Sequence, residues 1–318
     1  MKLKQFYKTA VEYGIKNDPR GVKEVKAYLK TENKKYEYMP QKEKIYYDKE
    51  KLTNPYADSR ILYDNGKEIR SVLVGIDMEV GELLLADRLS EKGKKIDAVI
   101  AHHPEGMAYA RFYDVMDMQA DIFNSFGVAI SASQGLLEKR MKEVGEKVAA
   151  SNHYRTADAA RLLDIPLLNM HTFADNCVAS YLQKKIDQKN IFTLGDVINM
   201  LMQEPEYKEA AKRGNPPAVL VGGKNRKVKK AMVDMTGGTS GPKEIYEKLL
   251  NSGVDTVIGM HFSPEHKKEL EKINMNVVLA GHISSDTLGM NLMLDEVERK
   301  NGKLKIYETS GFKRFVRK

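Results

Sequence analysis

Short apolar runs alternate with helix-like segments along most of the chain, and this alternation limits its fold more than any other feature. SVLVGIDM at residues 71–78 and DAVIA at 97–101 have the length and β-branched content of strands, and EVGELLLADRLSEKG between them is typical of a helix. Short strands separated by helices favour a parallel or mixed sheet with helices on its faces. The sequence therefore predicts an α/β fold.

The pattern continues toward the C-terminus. A helical stretch to about residue 125 leads into the apolar run GVAISAS, and further strand-like runs follow: AVLVGG, KKAMVDM, DTVIGM, NVVLAG and KLKIYETS. A chain of 318 residues exceeds the usual size of one domain. We predict an N-terminal extension over residues 1–70, a first α/β lobe over 71–190 and a second over 191–318, with mixed sheets flanked by helices.

The extension differs in charge from the rest of the chain. Residues 1–70 carry 17 Lys and Arg against 11 Asp and Glu, and nine of the 16 tyrosines lie there. Basic residues among aromatics can bind single-stranded nucleic acid. Acidic residues interrupt every basic run, however, which favours a structural arm that packs on the body or on a neighbouring subunit.

Composition excludes several kinds of protein. No run approaches the ~18 apolar residues of a membrane helix, and the first residues lack the apolar centre of a signal peptide. The single cysteine, Cys177, rules out an internal disulfide and a multi-cysteine zinc site. We expect a cytoplasmic protein without a membrane partner, in which any metal is held by histidines and carboxylates.

Histidines follow three of the strand-like runs. His102 and His103 follow DAVIA, His171 follows IPLLNM, and His282 follows NVVLAG; Asp175 and Asp286 come four residues after the last two. Ligands of α/β sheets bind beyond the carboxyl ends of strands, and residues i and i+4 of a helix share a face. A single H-x-x-x-D could equally be a helix cap, but two such pairs and an HH doublet indicate one polar site.

Imidazole and carboxylate together are ligands of zinc, iron, manganese or nickel. Five candidate ligands are too many for one closed site, and they suit two ions that share a carboxylate bridge. His102 and His103 cannot easily chelate one ion, since neighbouring side chains of a strand diverge, but beyond the strand end each can serve a different ion. We therefore predict two divalent ions per chain.

Four motifs resemble those of one family, and they occur in its order. DAVIAHHPEG, NMHTFADN, MTGGTSG and LAGHISSD are similar to motifs of the Nif-three-like dinuclear metal proteins, also called GTP cyclohydrolase 1 type 2 homologues. The resemblance covers residues 71–318 and implies a two-lobed α/β fold with a dinuclear metal site between the lobes, assembled as a homohexamer. The ligands it implies are His102, His103, Asp175, His282 and Asp286, with His171 lining the site. At position 286 the family has Glu, so bridging by the shorter Asp286 departs from its pattern.

The loop MTGGTSG also carries a prediction. It precedes the predicted helix PKEIYEKLL, with Pro242 near the first turn, so free N–H groups would favour a phosphate or another anion. The candidates for anion binding are Gly237, Gly238, Thr239 and Ser240. The loop lacks the lysine of a P-loop, and an ordinary tight turn would have the same sequence.

These observations favour metal-assisted hydrolysis, in which a metal-activated water attacks a nucleotide or another phosphate-bearing small molecule. A cyclohydrolase and a phosphoesterase fit equally, and no motif fixes a general acid, although Glu105 is a candidate. The positions of His261 and His266 relative to the site stay open, and His153 is expected to be structural. The alternative is a non-enzymatic, ring-shaped metal-binding module that contacts protein or nucleic acid.

Overall fold

The strands form two mixed sheets, each flanked by helices, in the computed structural model, which describes residues 1–188 and 190–317. This confirms the predicted α/β class. The strands are β1 (Ile61–Tyr63), β2 (Ser71–Gly75), β3 (Ala98–Ala101), β4 (Leu167–Asn169), β5 (Ala218–Val221), β6 (Ala231–Asp234), β7 (Thr256–Gly259), β8 (Asn276–Leu279) and β9 (Lys305–Glu308). The α-helices are α1 (Leu3–Lys16), α2 (Val22–Tyr38), α3 (Gln41–Lys44), α4 (Val80–Glu91), α5 (Gly106–Ala110), α6 (Met118–Ser125), α7 (Ile130–Ala149), α8 (Arg155–Leu162), α9 (His171–Gln188), α10 (Leu194–Leu201), α11 (Pro205–Lys212), α12 (Ile245–Asn251), α13 (Pro264–Lys272) and α14 (His282–Asn301).

The first sheet has the order β1-β4-β3-β2-β9. Strands β4, β3, β2 and β9 are parallel, and β1 runs antiparallel at the edge. All residues of β2 and β3 are buried, as expected of central parallel strands covered on both faces. Because these strands share one direction, their carboxyl ends open at the same edge.

The second sheet has the order β5-β8-β7-β6, with β5 antiparallel to the rest. One hydrophobic cluster includes Val72 of the first sheet, Val257 of the second and Phe6 of α1. The two sheets therefore share a continuous apolar core.

The N-terminal segment is built into this core. Helix α1 packs against α9 and α14, and its Leu3 and Phe6 side chains are buried. Strand β1 joins the first sheet through β4. Residues 1–70 therefore pack on the rest of the fold through α1 and β1.

Helices α9 and α14 pack closely, and a glycine permits it. A Cβ added at Gly289 of α14 would lie 2.5 Å from the carbonyl oxygen of Ala174 in α9. Real Cβ atoms do not come this close, so any side chain at position 289 would force the helices apart. The glycine matters because Ala174 immediately precedes Asp175, and Asp286 lies one turn before Gly289.

Two segments differ from the sequence-based expectation. GVAISAS is not a strand, because α7 begins at Ile130 within it. The run KLKIYETS does form β9, but β9 pairs with β2 in the first sheet, although the predicted division places it in the second lobe. Strand propensity is a local property, whereas the choice of a partner strand depends on the crossover through α14.

Among the described residues, no helix combines the length and apolar character required to cross a bilayer.

Candidate functional site

Hydrogen bonds fix the backbone of the HHP segment directly after β3. The amide of His102 donates to Gly75 O at 3.0 Å, and the amide of His103 donates to Ile76 O, also at 3.0 Å. Asn169 at the end of β4 donates from Nδ2 to His103 O at 2.7 Å. The neighbouring strands therefore hold both histidines in place.

The two H-x-x-x-D motifs occupy equivalent positions on two helices. His171 is the first residue of α9, and His282 is the first residue of α14. His171 Nε2 lies 3.8 Å from Asp175 Oδ2, and His282 Nε2 lies 3.4 Å from Asp286 Oδ2. Both pairs have the shared helix face that the i, i+4 spacing predicts.

Asp286 lies at the centre of the resulting cluster. Its Oδ1 is 3.5 Å from His102 Nε2, and its Oδ2 is 3.4 Å from both His103 Nε2 and His282 Nε2. Asp175 Oδ1 lies 3.5 Å from His102 Nε2. The structure thus brings together the five ligands that the resemblance implies.

Three sets of side chains have ligand atoms within 4.8 Å of one another: His103, His282 and Asp286; His102, Asp175 and Asp286; and His102, His103 and His171. Asp286 belongs to the first two sets, whereas Asp175 belongs to one. His171 joins the two members of the doublet in the third. Asp286 is therefore the carboxylate best placed to be shared.

A hydrogen bond behind the ring orients three of the imidazoles. The Nδ1 atom of His102 lies 3.1 Å from Met170 O, that of His103 lies 2.6 Å from Asp77 Oδ1, and that of His171 lies 2.7 Å from Asp58 Oδ2. An acceptor at Nδ1 favours the tautomer in which Nδ1 carries the proton and Nε2 keeps its lone pair. The Nε2 atom of His102, which burial keeps neutral, therefore faces Asp175 and Asp286 as an acceptor.

Sequence reasoning did not identify Asp58 and Asp77. Asp77 follows β2 at the edge where the histidines emerge, so the carboxyl-end rule was a usable signal for it. Asp58 is completely buried and accepts from both His171 and Thr172 Oγ1. It lies 113 positions before His171 and in no strand or helix, so no spacing rule connects the two.

Burial and neighbouring charges shift the pKa values of the cluster's side chains in different directions. Burial lowers the pKa of His102 to about 4. Burial also opposes the charge on His103, but the carboxylates of Asp286 and Asp77 raise its pKa to about 9. Burial raises the pKa of Asp175 well above its ordinary value, with Asp286 and Asp58 adding to the effect.

Asp286 departs in the opposite direction. Burial favours its neutral form, but His102, His103 and His282 outweigh burial and lower its pKa. Asp286 is therefore the buried anion of the cluster.

The buried carboxylate oxygens of the cluster indicate whether a cation fits between its side chains. Among the described residues, Asp175 Oδ1 and both carboxylate oxygens of Asp286 are buried and accept no hydrogen bond. A buried carboxylate without donors is costly unless a cation compensates it. Acceptors directed at one point from imidazoles and carboxylates match the preference of first-row transition metals and zinc. The residues fit a metal centre.

The remaining histidines are distributed as follows. The ring centroid of His261 lies 4.8 Å from that of His282, so His261 borders the cluster. His266 bonds to Ser263 Oγ and to Gly241 O, which is a structural arrangement. His153 contacts Val148 O through Nε2 and joins none of the candidate sets, as expected.

The glycine-rich loop lies beside the cluster. Gly237 and Gly238 have φ of +88° and +87°, a region that disfavours side chains, and a Cβ at Gly237 would lie 2.7 Å from Gln119 Cγ. Gln119 Nε2 donates to Gly237 O and to Thr239 O. The helix predicted after the loop begins only at Ile245, three residues beyond Pro242, because residues 242–244 form a turn.

A small cavity of about 50 Å³ connects this loop with the cluster. Its lining comprises members of the cluster, the loop and β6, including His171, Asp175, His282, Asp286, Thr239, Ser240 and Asp234. Burial raises the pKa of Asp234 to about 6. This carboxyl group was missed in the sequence, although it ends a parallel strand at the appropriate edge. Glu105, the candidate acid, is absent from the lining of this cavity.

Comparison with known proteins gives the same family as the motifs. No family model and no curated protein matches the sequence. A NIF3 superfamily protein from Sphaerobacter thermophilus has a similar structure, with a TM-score of 0.70 and 29% identity over 80% of this chain and 91% of that chain.

Two other solved structures are less similar. Reduced HcgD from Methanocaldococcus jannaschii has a TM-score of 0.45 and 16% identity over 85% of this chain and 97% of that chain. A Bacillus cereus protein related to NIF3 has a TM-score of 0.39 and 15% identity over 77% and 88%. Of the three, the Sphaerobacter protein alone exceeds a TM-score of 0.5, and it supports a NIF3-like family assignment for this chain, as the motifs predicted.

Proposed function

We propose that this chain is a metal-dependent hydrolase that binds two divalent ions through His102, His103, Asp175, His282 and Asp286. One observation carries the proposal: the buried carboxylate oxygens of Asp175 and Asp286 accept no hydrogen bond, and the Nε2 atom of the neutral His102 beside them is itself an acceptor. Such a set of acceptors is stable when cations occupy its centre.

Each residue has a defined part in this proposal. Asp286 is the shared ligand, with His103 and His282 on one side and His102 and Asp175 on the other. The hydrogen bonds that the Nδ1 atoms donate to Met170 O, Asp77 and Asp58 hold the rings in the metal-binding tautomer. Bound divalent ions would lower the pKa of a water toward ~7 and polarise the bond under attack.

The chain's other groups supply what remains. Asp234 lines the cavity with a pKa of about 6, so it can exchange a proton near neutral pH. Gly238, Thr239 and Ser240 line the small cavity beside the cluster, and together with Gly237 they are proposed to contact an anionic part of the substrate. Attack on a purine ring carbon and attack on a phosphate ester both fit this arrangement.

Elemental analysis tests the metal centre directly. Protein purified without chelators and reloaded with zinc, iron, manganese or nickel should contain two ions per chain. One ion or none in the unmodified protein contradicts the dinuclear assignment. The loaded protein is then screened against nucleotides, phosphodiesters and cyclic amides, and hydrolysis that depends on the metal supports the enzymatic function.

Assembly is a separate part of the proposal. The family resemblance implies a homohexamer, and the extension presents Tyr38, Ile45 and Tyr46 with exposures of 81%, 74% and 83%, which suits a subunit contact. Light scattering should show an oligomer at micromolar concentration. A monomer contradicts the hexamer, and sub-micromolar binding of single-stranded nucleic acid near ~150 mM salt would favour the interaction-module alternative.

A further inference from the structure

A second, larger cleft opens beside the small cavity. It has a volume of about 720 Å³ and lies between α7, the loop at 239–244, and residues 261–266, which comprise a loop and the start of α13. Thr239, Ser240, His261 and Phe262 line both the cleft and the small cavity. The two spaces are therefore contiguous, and the cleft has the size of a small-molecule binding site, roughly 300–1,000 Å³.

One wall of the cleft is basic. Helix α7 contributes Lys139, Arg140 and Lys147, and the opposite loop contributes Lys243. Within the described part of the chain, neither Lys139 nor Lys147 takes part in an ion pair. Since Lys139 and Lys147 are eight residues apart on a helix, they project from the same face. This wall offers two free ammonium groups to a ligand.

Arg140 connects this wall to the glycine-rich loop. Its Nε donates to Ser240 O at 3.2 Å, and its Nη1 lies 3.3 Å from Glu143 Oε2. The guanidinium therefore fixes the loop against α7 while it adds positive charge to the cleft.

The loop itself leaves its backbone N–H groups without acceptors among the described residues. Its carbonyl groups are engaged: Gly237 O and Thr239 O accept from Gln119, Ser240 O from Arg140, and Gly241 O pairs with His266. No backbone N–H of residues 236–241 donates a hydrogen bond to any described residue. Free donors beside free ammonium groups favour a ligand rich in acceptor oxygens.

The rest of the lining limits the charge of that ligand. Glu244 and Glu265 line the cleft, and hydrogen bonds from the backbone and from Ser263 lower the pKa of Glu265, with His266 and Lys243 adding to the effect. The cleft as a whole therefore carries both signs. A polar molecule with one anionic end matches it better than a polyanion does.

We propose that this cleft binds the phosphate-type end of an elongated substrate whose reacting bond lies at the His–Asp cluster, with Lys139 and Lys147 as specificity-determining residues. The inference rests on the proposed function for the placement of the reacting bond. The anion site itself depends only on α7 and the loop.

Adenosine 5′-monophosphate and adenosine are the probes, and calorimetry on the metal-loaded protein measures their affinity. The monophosphate should bind at least roughly tenfold more tightly than the nucleoside. The Lys139→Ala/Lys147→Ala double variant should bind the monophosphate roughly fivefold more weakly and the nucleoside unchanged. Lys142→Ala is the matched control, because Lys142 is an exposed lysine of the same helix outside the cleft lining.

Three outcomes overturn the cleft site: no preference for the monophosphate, an unchanged affinity in the double variant, or an equal loss in the Lys142→Ala variant. Asp286→Asn separates this inference from the proposed function. If that variant alone loses the monophosphate, the phosphate binds at the cluster and the cleft inference is wrong. If the wild type carries no metal but the double variant still loses affinity, the proposed hydrolase fails and the anion site stands.

Discussion

The two H-x-x-x-D motifs begin two helices in the same way, yet they create different environments. The His171 side chain is 8% exposed and rests on the buried Asp58, whereas the His282 side chain is 39% exposed. The pKa of Asp175 is raised, because burial and two carboxylates act on it, but that of Asp286 is lowered by three imidazoles. Spacing places a carboxylate in a site, and its neighbours decide its charge.

The largest difference should appear when each carboxylate loses its charge. Asp286→Asn removes the ligand common to two sets and should cost both ions, whereas Asp175→Asn leaves His103, His282 and Asp286 intact and should keep one ion. Elemental analysis after metal reloading measures this. His153→Ala, whose ring lies outside the cluster, is the control and should retain full occupancy. Full occupancy in Asp286→Asn, or a greater loss in Asp175→Asn, would reverse the comparison.

The carboxylates that accept hydrogen bonds from His171 and His103 should also differ in their effect on metal affinity. Asp58→Asn removes a buried negative charge that holds both His171 and Thr172, so metal affinity should fall roughly 10–100-fold. Asp77→Asn should cost less, because the Asp77 side chain is 60% exposed and water can replace its bond to His103. Competition with a coloured chelator gives both affinities. Equal losses would show that burial of the supporting carboxylate is irrelevant.

Contact between the two helices can be disrupted without touching a ligand. Gly289→Ala places a methyl group against Ala174 O, so it should lower the free energy of unfolding by about 1–3 kcal/mol and weaken metal binding. Gly135→Ala on α7 is the matched control, since a Cβ there meets no atom within 4 Å. It should be neutral or stabilising by up to about 1 kcal/mol, because alanine favours helices. Urea denaturation measures both, and a neutral Gly289→Ala would show that α9 and α14 can separate freely.

A third carboxyl group, that of Asp234, should give the smallest effect, which is a change in the pH dependence of stability. Its pKa rises from 3.8 when unfolded to about 6 when folded, so the folded state binds the proton more tightly and stability falls as pH rises from 4 to 6. Asp234→Asn has no charge to bury and should gain about 1 kcal/mol at pH 8, a modest gain because the residue is partly exposed. Near pH 4 the gain should vanish. Urea titrations of metal-free protein at both pH values check this, and a gain that does not change with pH contradicts the assignment.

The parts of the fold that follow from local patterns were predictable. Alternation of apolar runs and helices predicts the α/β class, and the carboxyl-end rule predicts that His102, His103, His171 and His282 lie at one site. The relative positions of the residues in the i, i+4 pairs and in the adjacent doublet depend only on the backbone of a few neighbouring residues. The sequence alone is therefore sufficient to predict them.

Features that depend on distant segments were not predictable. Asp58 reaches His171 through the packing of the N-terminal segment, and Asp234 meets the cluster only because the second sheet faces it. The start of α7 within GVAISAS shows the same limit, since the β-branched Ile130 begins a helix whose buried face includes Leu137 and Val144. Tertiary contacts decided these positions.

The pairing of β9 with β2 has a consequence for the order of synthesis. Strand β2 is made early, but its outer edge stays open until residues 305–308 leave the ribosome, long after β3 has covered the other side. An open strand edge invites pairing with other chains. The nascent protein therefore has an unpaired edge at β2 through most of its translation. Strand β9, which pairs with that edge, follows helix α14 with His282 and Asp286. Completion of the sheet and synthesis of the last proposed metal ligands therefore both come late in translation.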